Sequence, residues 1–395
     1  MARRRFSWCS ATDAPTWHSL ALEAVSKPRR TRNPGQPNGA QRGSGLCGLT
    51  HPSNPTRRHK RLPPRWAHST SPCRMWMRGE WHRWWMTCDR SKAAASYFMW
   101  ESLYPPLSWD VNQPTWPNAD YSCFVQTPFQ RWHVQIAGQG PTLLLLHGTG
   151  ASTHSWRNLL PVLSQHFTVV CPDLPGHAFS ASRGTFGLSL ENITACLSTL
   201  LDALGQWPDA IVGHSAGAAI AAQLILENPE RSVPRLIGLN PAWLPLPGMA
   251  NWLFPPAAKL MALNPWSARW FSKQAAKPGT VQRLIEGTGS KLDPSGIALY
   301  QRLMQAPAHV NGVLGMMASW QLDHLARRLP QLRTPILMHI GANDLAIPAT
   351  LAQQALALMP QAELVSQPGM GHIAHEEDPA ATCQVIVKWL KQTGR

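Results

Sequence analysis

The first 98 residues contain no isoleucine, one valine and five leucines. Aliphatic side chains that sparse cannot bury enough surface to offset the entropy of ordering a chain, so disorder is expected there. Acidic residues are also scarce in this stretch, where four Asp and Glu stand against 18 Lys and Arg. Residues 99–395 hold 18 Lys and Arg against 17 Asp and Glu, so nearly all of the net charge of +15 belongs to the extension. A globular part so close to neutral is not expected to bind nucleic acid. No apolar run follows Met1-Ala2-Arg3-Arg4-Arg5, which argues against a secretory signal. No uninterrupted apolar stretch of about 20 residues occurs, so no transmembrane segment is expected. Of eight cysteines, four lie in the extension. Cys123, Cys171, Cys196 and Cys383 have neither metal-ligand spacing nor the density of a disulfide framework. They are expected to be buried or idle thiols in a reducing compartment, and no metal site is expected.

What the extension does contain is seven Trp, four Cys and scattered Pro, Arg, Ser and Gly. The expected origin of this composition is translation from upstream of a native start at Met99. A disordered tail that binds nucleic acid or membrane, and a targeting peptide, are the alternatives.

From Met99 onward the pattern changes. Strand-like segments run over 121–127 and 131–137, and Pro141-Thr142-Leu143-Leu144-Leu145-Leu146-His147-Gly148 holds a short apolar run ended by Gly, as a strand buried on both faces reads. Helix and strand signals then alternate: helix 155–165, strand 167–171, helix 190–204, strand 210–212, helix 216–227 and strand 236–239. After an interruption the alternation resumes with strand 336–340, helix 349–358, strand 363–366 and helix 379–390. This alternation predicts an α/β fold, a mainly parallel sheet with helices on both faces. Residues 99–240 and 326–395 form its core. The interruption, 241–325, reads as an inserted helical cap, with Asp293-Pro294 as a helix cap followed by Pro at the first helical position.

Gly213-His214-Ser215-Ala216-Gly217 sits between the apolar strand and the small-residue helix that a nucleophile elbow requires. The tight turn forces Ser215 into a strained conformation and demands small neighbours two positions away. A serine hydroxyl needs a base, and the base needs an acid to fix its tautomer. In chain order these should follow as acid, then histidine. Asp344 lies just after strand 336–340, and His372 follows the last strand, so these are the expected triad partners of Ser215. The alternatives are a helix-capping role for Asp344 and His375 as the base. The oxyanion donors are expected to be the backbone N–H of Ala216 and that of Thr149 in His147-Gly148-Thr149-Gly150. His147 and Asp173 are read as structural supports of their loops.

Arg131-Trp132-His133-Val134-Gln135, the string Leu143–Trp156 and Gly213–Ile220 carry a closer resemblance. With Gly287–Ser290, Ala308-His309-Val310, Met316–Trp320 and Gly371–Glu377, they resemble the magnesium-chelatase accessory protein of bacteriochlorophyll synthesis (BchO type) over about Met99 to Leu390. The resemblance implies an α/β-hydrolase fold and a cytoplasmic role assisting magnesium insertion into protoporphyrin IX, with magnesium-chelatase subunits as partners. Peripheral association with the photosynthetic membrane is an open alternative. Family members begin near the Trp-Glu and Arg-Trp-His-Val segments, so residues 1–98 depart from the pattern. No cofactor is expected to be required, while protoporphyrin or Mg-protoporphyrin is the expected ligand. The five Trp of 241–325 (243, 252, 266, 270 and 320) favour such a macrocycle, with Trp243, Trp252 and Trp320 as candidate pocket residues and His309 as candidate axial magnesium ligand; ordinary cap packing is the alternative for the tryptophans, and a helix-start or surface histidine for His309. The seven Lys and Arg of 241–325, against three Asp and Glu, are either partners of propionates or simply solvated. Two further functions compete: a carboxylesterase or lipase-like hydrolase of a small apolar ester, and a non-enzymatic binding module. A complete triad argues against the last.

Overall fold

The computed structural model describes residues 104, 106–181, 187–246, 259–264 and 266–394. The expectations for residues 1–98, for Met99 as the start and for Trp252 lie outside these residues. Within them the chain forms an eight-stranded sheet in the order β1-β2-β4-β3-β5-β6-β7-β8. The strands are β1 Ser122–Gln126, β2 Arg131–Ala137, β3 Thr142–Leu146, β4 Thr168–Pro172, β5 Ala210–His214, β6 Arg235–Leu239, β7 Ile336–Gly341 and β8 Ala362–Gln367. β2 runs antiparallel to both β1 and β4, and every other pairing is parallel.

The four leucines of β3 show why a central parallel strand is apolar throughout. Leu144 and Leu146 enter the core on one sheet face, beneath α1 (Leu190–Leu204) and α2 (Ala216–Glu227). Leu143 and Leu145 enter the core on the other, with Trp156, Leu160 and the Ile386 and Trp389 side chains of the C-terminal helix Pro379–Thr393. All four are wholly buried, each contributing about 1.5–3 kcal/mol of apolar transfer energy. Cys123, Cys171, Cys196 and Cys383 are free thiols.

Element positions match the sequence periodicity closely, with one correction. The expected helix over 155–165 is instead a 3-10 turn, Thr153–Trp156, followed by one α turn, Leu160–Leu163. Pro161 is the cause, because it lacks an N–H and its ring collides with the preceding turn, so a helix can start beside it but not pass through it.

The inserted segment lies between β6 and β7. It contains α3 (Ser267–Ala275), α4 (Thr280–Glu286), α5 (Pro294–Met304) and α6 (Pro307–Ser319). Asp293 caps α5 as expected, its side chain accepting from the Gly296 N–H at 2.7 Å. On α6, a Cβ at Gly312 would lie 1.9 Å from the Gly176 carbonyl oxygen. Glycine therefore lets this helix rest directly on a core loop.

Candidate active site

Ser215 links β5 to α2 with φ 51° and ψ −116°, a conformation that costs a non-glycine residue about 1–3 kcal/mol. The turn is tight enough to dictate its neighbours. A Cβ at Gly213 would lie 2.5 Å from the Ala218 backbone nitrogen, and one at Gly217 would lie 2.2 Å from the Leu146 carbonyl oxygen. The serine carbonyl accepts from Ala218 and Ala242, each at 3.1 Å, and its N–H donates to Leu239 at 2.9 Å. These bonds hold the strained turn and set Ser215 at the positive end of α2.

His372 donates from Nδ1 to Asp344 Oδ2 at 2.8 Å, which leaves its Nε2 unprotonated in the neutral ring. The other carboxylate oxygen accepts from the backbone N–H groups of Ala346 and Ile347, both at 2.8 Å. Asn240 adds a bond from Nδ2 to Oδ2 at 2.7 Å. Burial by itself would raise the Asp344 pKa, but the bonds from His372, Ile347 and Asn240 outweigh it and hold the carboxyl below its ordinary range. Asp344 thus also fixes the start of its own loop, so the pairing and the capping arrangements coexist. His214 donates from Nε2 to the His372 carbonyl oxygen at 2.9 Å; burial, then the neighbouring His372, lower its pKa to about 3 and keep it neutral. His375, the alternative base, is buried elsewhere and donates from Nε2 to Ser155 Oγ at 2.8 Å.

The loop 147–150 faces the elbow, and a Cβ at Gly148 would meet Ser215 Cβ at 3.1 Å. Neither the Thr149 nor the Ala216 backbone N–H has an acceptor among the described residues. His147 supports this loop, donating from Nδ1 to the Gly148 carbonyl oxygen at 2.8 Å and accepting at Nε2 from the Leu174 N–H at 2.9 Å. Asp173 is likewise a loop anchor, paired with His133 at 2.7 Å and accepting from the Thr153 N–H at 2.7 Å.

Ser215, His372, Thr149 and Gly150 open into a cavity of about 810 Å3. Its far wall comes from the inserted segment, including Val281, Ile285, Tyr300, Met304 and Trp320. Trp320, one of the sequence candidates, lies on this wall. Two other candidates need correcting. Trp243 is wholly buried in the core outside the cavity, its indole N–H donating to the Ala218 carbonyl oxygen at 2.8 Å and its ring covering Gly238. His309 is also buried off the cavity, and both ring nitrogens are committed. Nδ1 accepts from the Ala178 N–H at 3.0 Å, and Nε2 donates to the Gly150 carbonyl oxygen at 3.2 Å. Burial lowers its pKa to about 4, so the ring stays neutral, with no lone pair left for a magnesium ion. It ties α6 to the loop beside Ser215 instead. Among the described residues no Lys or Arg lines the cavity, and the one carboxylate there is Asp323. The basic residues of the inserted segment are thus not placed to meet propionates inside it. Among the described residues no His, Cys, Asp and Glu group is arranged to hold a metal ion.

Sequence reasoning missed two contributors. Asn240 adopts φ 45° at the end of β6 and bonds Asp344, a role that an Asn before Pro241 hints at. Glu376 is buried and accepts from Ser155 at 2.6 Å and Tyr300 at 2.7 Å while paired with Arg157. Burial raises its pKa even with Arg157 against it. This cluster joins the His372–Glu376 segment to α5, and nothing in the spacing of its members foretells it.

Comparison with known proteins agrees with this fold. Residues 141–379 match the model of the alpha/beta hydrolase fold family. The chain is 38% identical over 265 residues to the magnesium-chelatase 30 kDa subunit of Rhodobacter capsulatus, spanning 67% of this chain and 92% of that one. It is 28% identical over 250 residues to the pimeloyl-[acyl-carrier protein] methyl ester esterase of Nitrosomonas europaea, spanning 61% and 92%. An esterase from Thermogutta terrifontis superposes with a TM-score of 0.54 at 22% identity, covering 69% of this chain and 98% of that one, a likeness of fold alone.

Proposed function

The chain belongs to the alpha/beta hydrolase fold family and, within it, to the family of the magnesium-chelatase 30 kDa subunit; from that premise we propose that it is an accessory factor for magnesium insertion into protoporphyrin IX that works through a serine-nucleophile site. The observation that carries this reading is the His372–Asp344 pair opening, with the strained Ser215, into one apolar cavity in a chain so similar to that subunit.

In this reading His372 Nε2 takes the proton of the Ser215 hydroxyl as Oγ attacks an ester carbonyl carbon. Asp344 stabilises the imidazolium that results, and the N–H groups of Thr149 and Ala216 receive the charge on the carbonyl oxygen. Collapse of the tetrahedral species expels the alcohol, which takes its proton from His372, and leaves an acyl-serine. Water, deprotonated by His372, then releases the acid. A tetrapyrrole macrocycle in the cavity would lie against Trp320 with its propionates held at the mouth, because no Lys or Arg lines the walls among the described residues. The magnesium-chelatase subunits are the protein partners this role calls for, in the cytoplasm.

The same absence of Lys and Arg favours a second reading, a carboxylesterase of a small uncharged ester. Two measurements separate them. Replacing Ser215 by Ala in a bacteriochlorophyll-forming host should make protoporphyrin IX accumulate if the site serves magnesium insertion. Fluorescence titration with Mg-protoporphyrin, beside a panel of short p-nitrophenyl esters, should show tight porphyrin binding. Fast ester turnover without porphyrin affinity, and unchanged pigment in the host, would leave the esterase reading.

A further inference from the structure

One outer face of the inserted segment has a composition that neither the reaction nor the cavity accounts for. α3 packs inward through Ala268, Ser272 and Ala275 and turns Trp266, Trp270 and Lys273 outward, at helical spacing. Trp266 is 67% exposed and Trp270 56%. On the preceding helical turn, 259–263, Leu260 and Leu263 are 72% and 55% exposed. Side chains of this size are seldom left in water together on a soluble surface unless something covers them.

Charge indicates what the cover is. From Lys259 to Ile285 the chain carries five Lys or Arg and no Asp or Glu. Lys259, Lys273, Lys277 and Arg283 have no carboxylate partner among the described residues. The rest of residues 99–395 holds 13 Lys and Arg against 17 Asp and Glu, so this is a local excess. Tryptophan and leucine interleaved with unpaired Lys and Arg is the side-chain set of an interfacial membrane helix, whose rings settle at headgroup depth while the cations meet lipid phosphates. A protein partner would need acidic groups at matched positions, whereas an anionic lipid surface supplies them anywhere. The face also borders the cavity. Leu284 of α4 is 58% exposed and lines the cavity as well, and α4 lies against α3.

We propose that this face of the inserted segment docks on the surface of an anionic phospholipid bilayer and brings the cavity mouth to it. The proposal is independent of which ester the site cleaves.

The basic extension would itself be drawn to anionic vesicles, so the test must locate the contact. Hydrogen exchange of the full chain is measured with and without vesicles of phosphatidylcholine containing 30% phosphatidylglycerol. Amides across 259–286 should gain protection with these vesicles and not with phosphatidylcholine alone. The Trp266→Ser/Trp270→Ser variant should keep its thermal midpoint within a few degrees and lower vesicle partition at least about fivefold. Lys273→Glu/Lys277→Glu should do the same and serves if the first variant does not fold. Protection confined to residues before 99, or undiminished partition of both variants, overturns the proposal. A concentration-dependent dimer abolished by Trp266→Ser/Trp270→Ser, without vesicle binding, would assign the face to a second copy of the chain and overturn it equally.

Discussion

Under the proposed mechanism the nucleophile is the strained Ser215, and its replacement separates that chemistry from folding. Ser215→Ala should abolish labelling by a fluorophosphonate probe and cost at least about 10^3-fold in kcat for any ester the protein cleaves. Labelling that persists in the variant would remove Ser215 from its role. Asp344→Asn keeps the shape but can no longer hold His372 in the tautomer with Nε2 free, so kcat should fall roughly 10^3–10^4-fold with little change in KM. Because hydrogen bonds hold the Asp344 pKa below its ordinary value, its stabilising contribution is present above the unfolded pKa and is lost as pH falls through the folded one. His309 behaves differently. His309→Ala leaves the Ala178 N–H and the Gly150 carbonyl unpartnered inside the protein, a loss of about 2–4 kcal/mol by the usual cost of buried unsatisfied groups. The thermal midpoint should drop accordingly. Any porphyrin affinity should weaken alike for the metal-free and magnesium forms, since no ligand bond is removed.

At the scale of elements, the contact of α6 with the Gly176 loop is the most exacting in the inserted segment. Gly312→Ala must move one backbone away from the other, and overpacking of that kind costs about 1–3 kcal/mol. A fall of several degrees in thermal midpoint together with reduced activity is expected, because the same helix holds Gly150 through His309. Unchanged stability and activity would show that the contact is loose. This tie also marks the limit of what periodicity can convey. Strands such as Thr142–Leu146 and helices such as Leu190–Leu204 and Ala216–Glu227 were legible because burial on one or both faces imposes a pattern on consecutive residues. The elbow, Asp344 and His372 were legible because their places at strand ends are fixed by chemistry. Trp243 and His309 were not, because an indole filling the space over Gly238 and an indole lining a cavity differ only in tertiary context. Glu376 was missed for the same reason, since Arg157, Ser155 and Tyr300 reach it from distant parts of the chain.

Across the whole molecule, a set of histidines is kept uncharged by burial. His147, His154, His177, His214, His309 and His375 are all buried, and in each case burial is the largest cause of a lowered pKa. An unfolded histidine titrates near 6.5, so below that pH the unfolded chain binds protons that the folded chain refuses. Their contribution is therefore intact above about pH 6.5 and erodes as pH falls toward the folded values, about 4 for His309 and about 3 for His214. Each such group removes roughly 1.4 kcal/mol per pH unit over that window. Thermal midpoints measured from pH 7.5 to 4.5 should fall steeply below 6.5, and a flat profile would contradict burial of these rings.

β6 and β7 are hydrogen-bonded neighbours, Leu239 opposite His339, although the whole inserted segment is threaded between them. Because the two strands run parallel, the chain leaves at the carboxyl end of β6 and returns at the amino end of β7, about 4.8 Å to the side, so the excursion supplies the crossover as well as the cavity wall. The register that carries Ser215, Asp344 and His372 is closed without it, and lengthening a loop costs little once its ends are fixed. Reactive groups and the walls that select what reaches them are in this sense inherited separately. The exchangeable stretch is shorter than the whole interval from Leu239 to Ile336, since Asn240 bonds Asp344, Trp243 bonds the Ala218 carbonyl oxygen, and Leu325, Leu329 and Leu332 belong to the main core. A lineage can exchange that shorter stretch as a cassette, acquiring a new ligand or a new docking surface in one step, while the triad positions stay as they were.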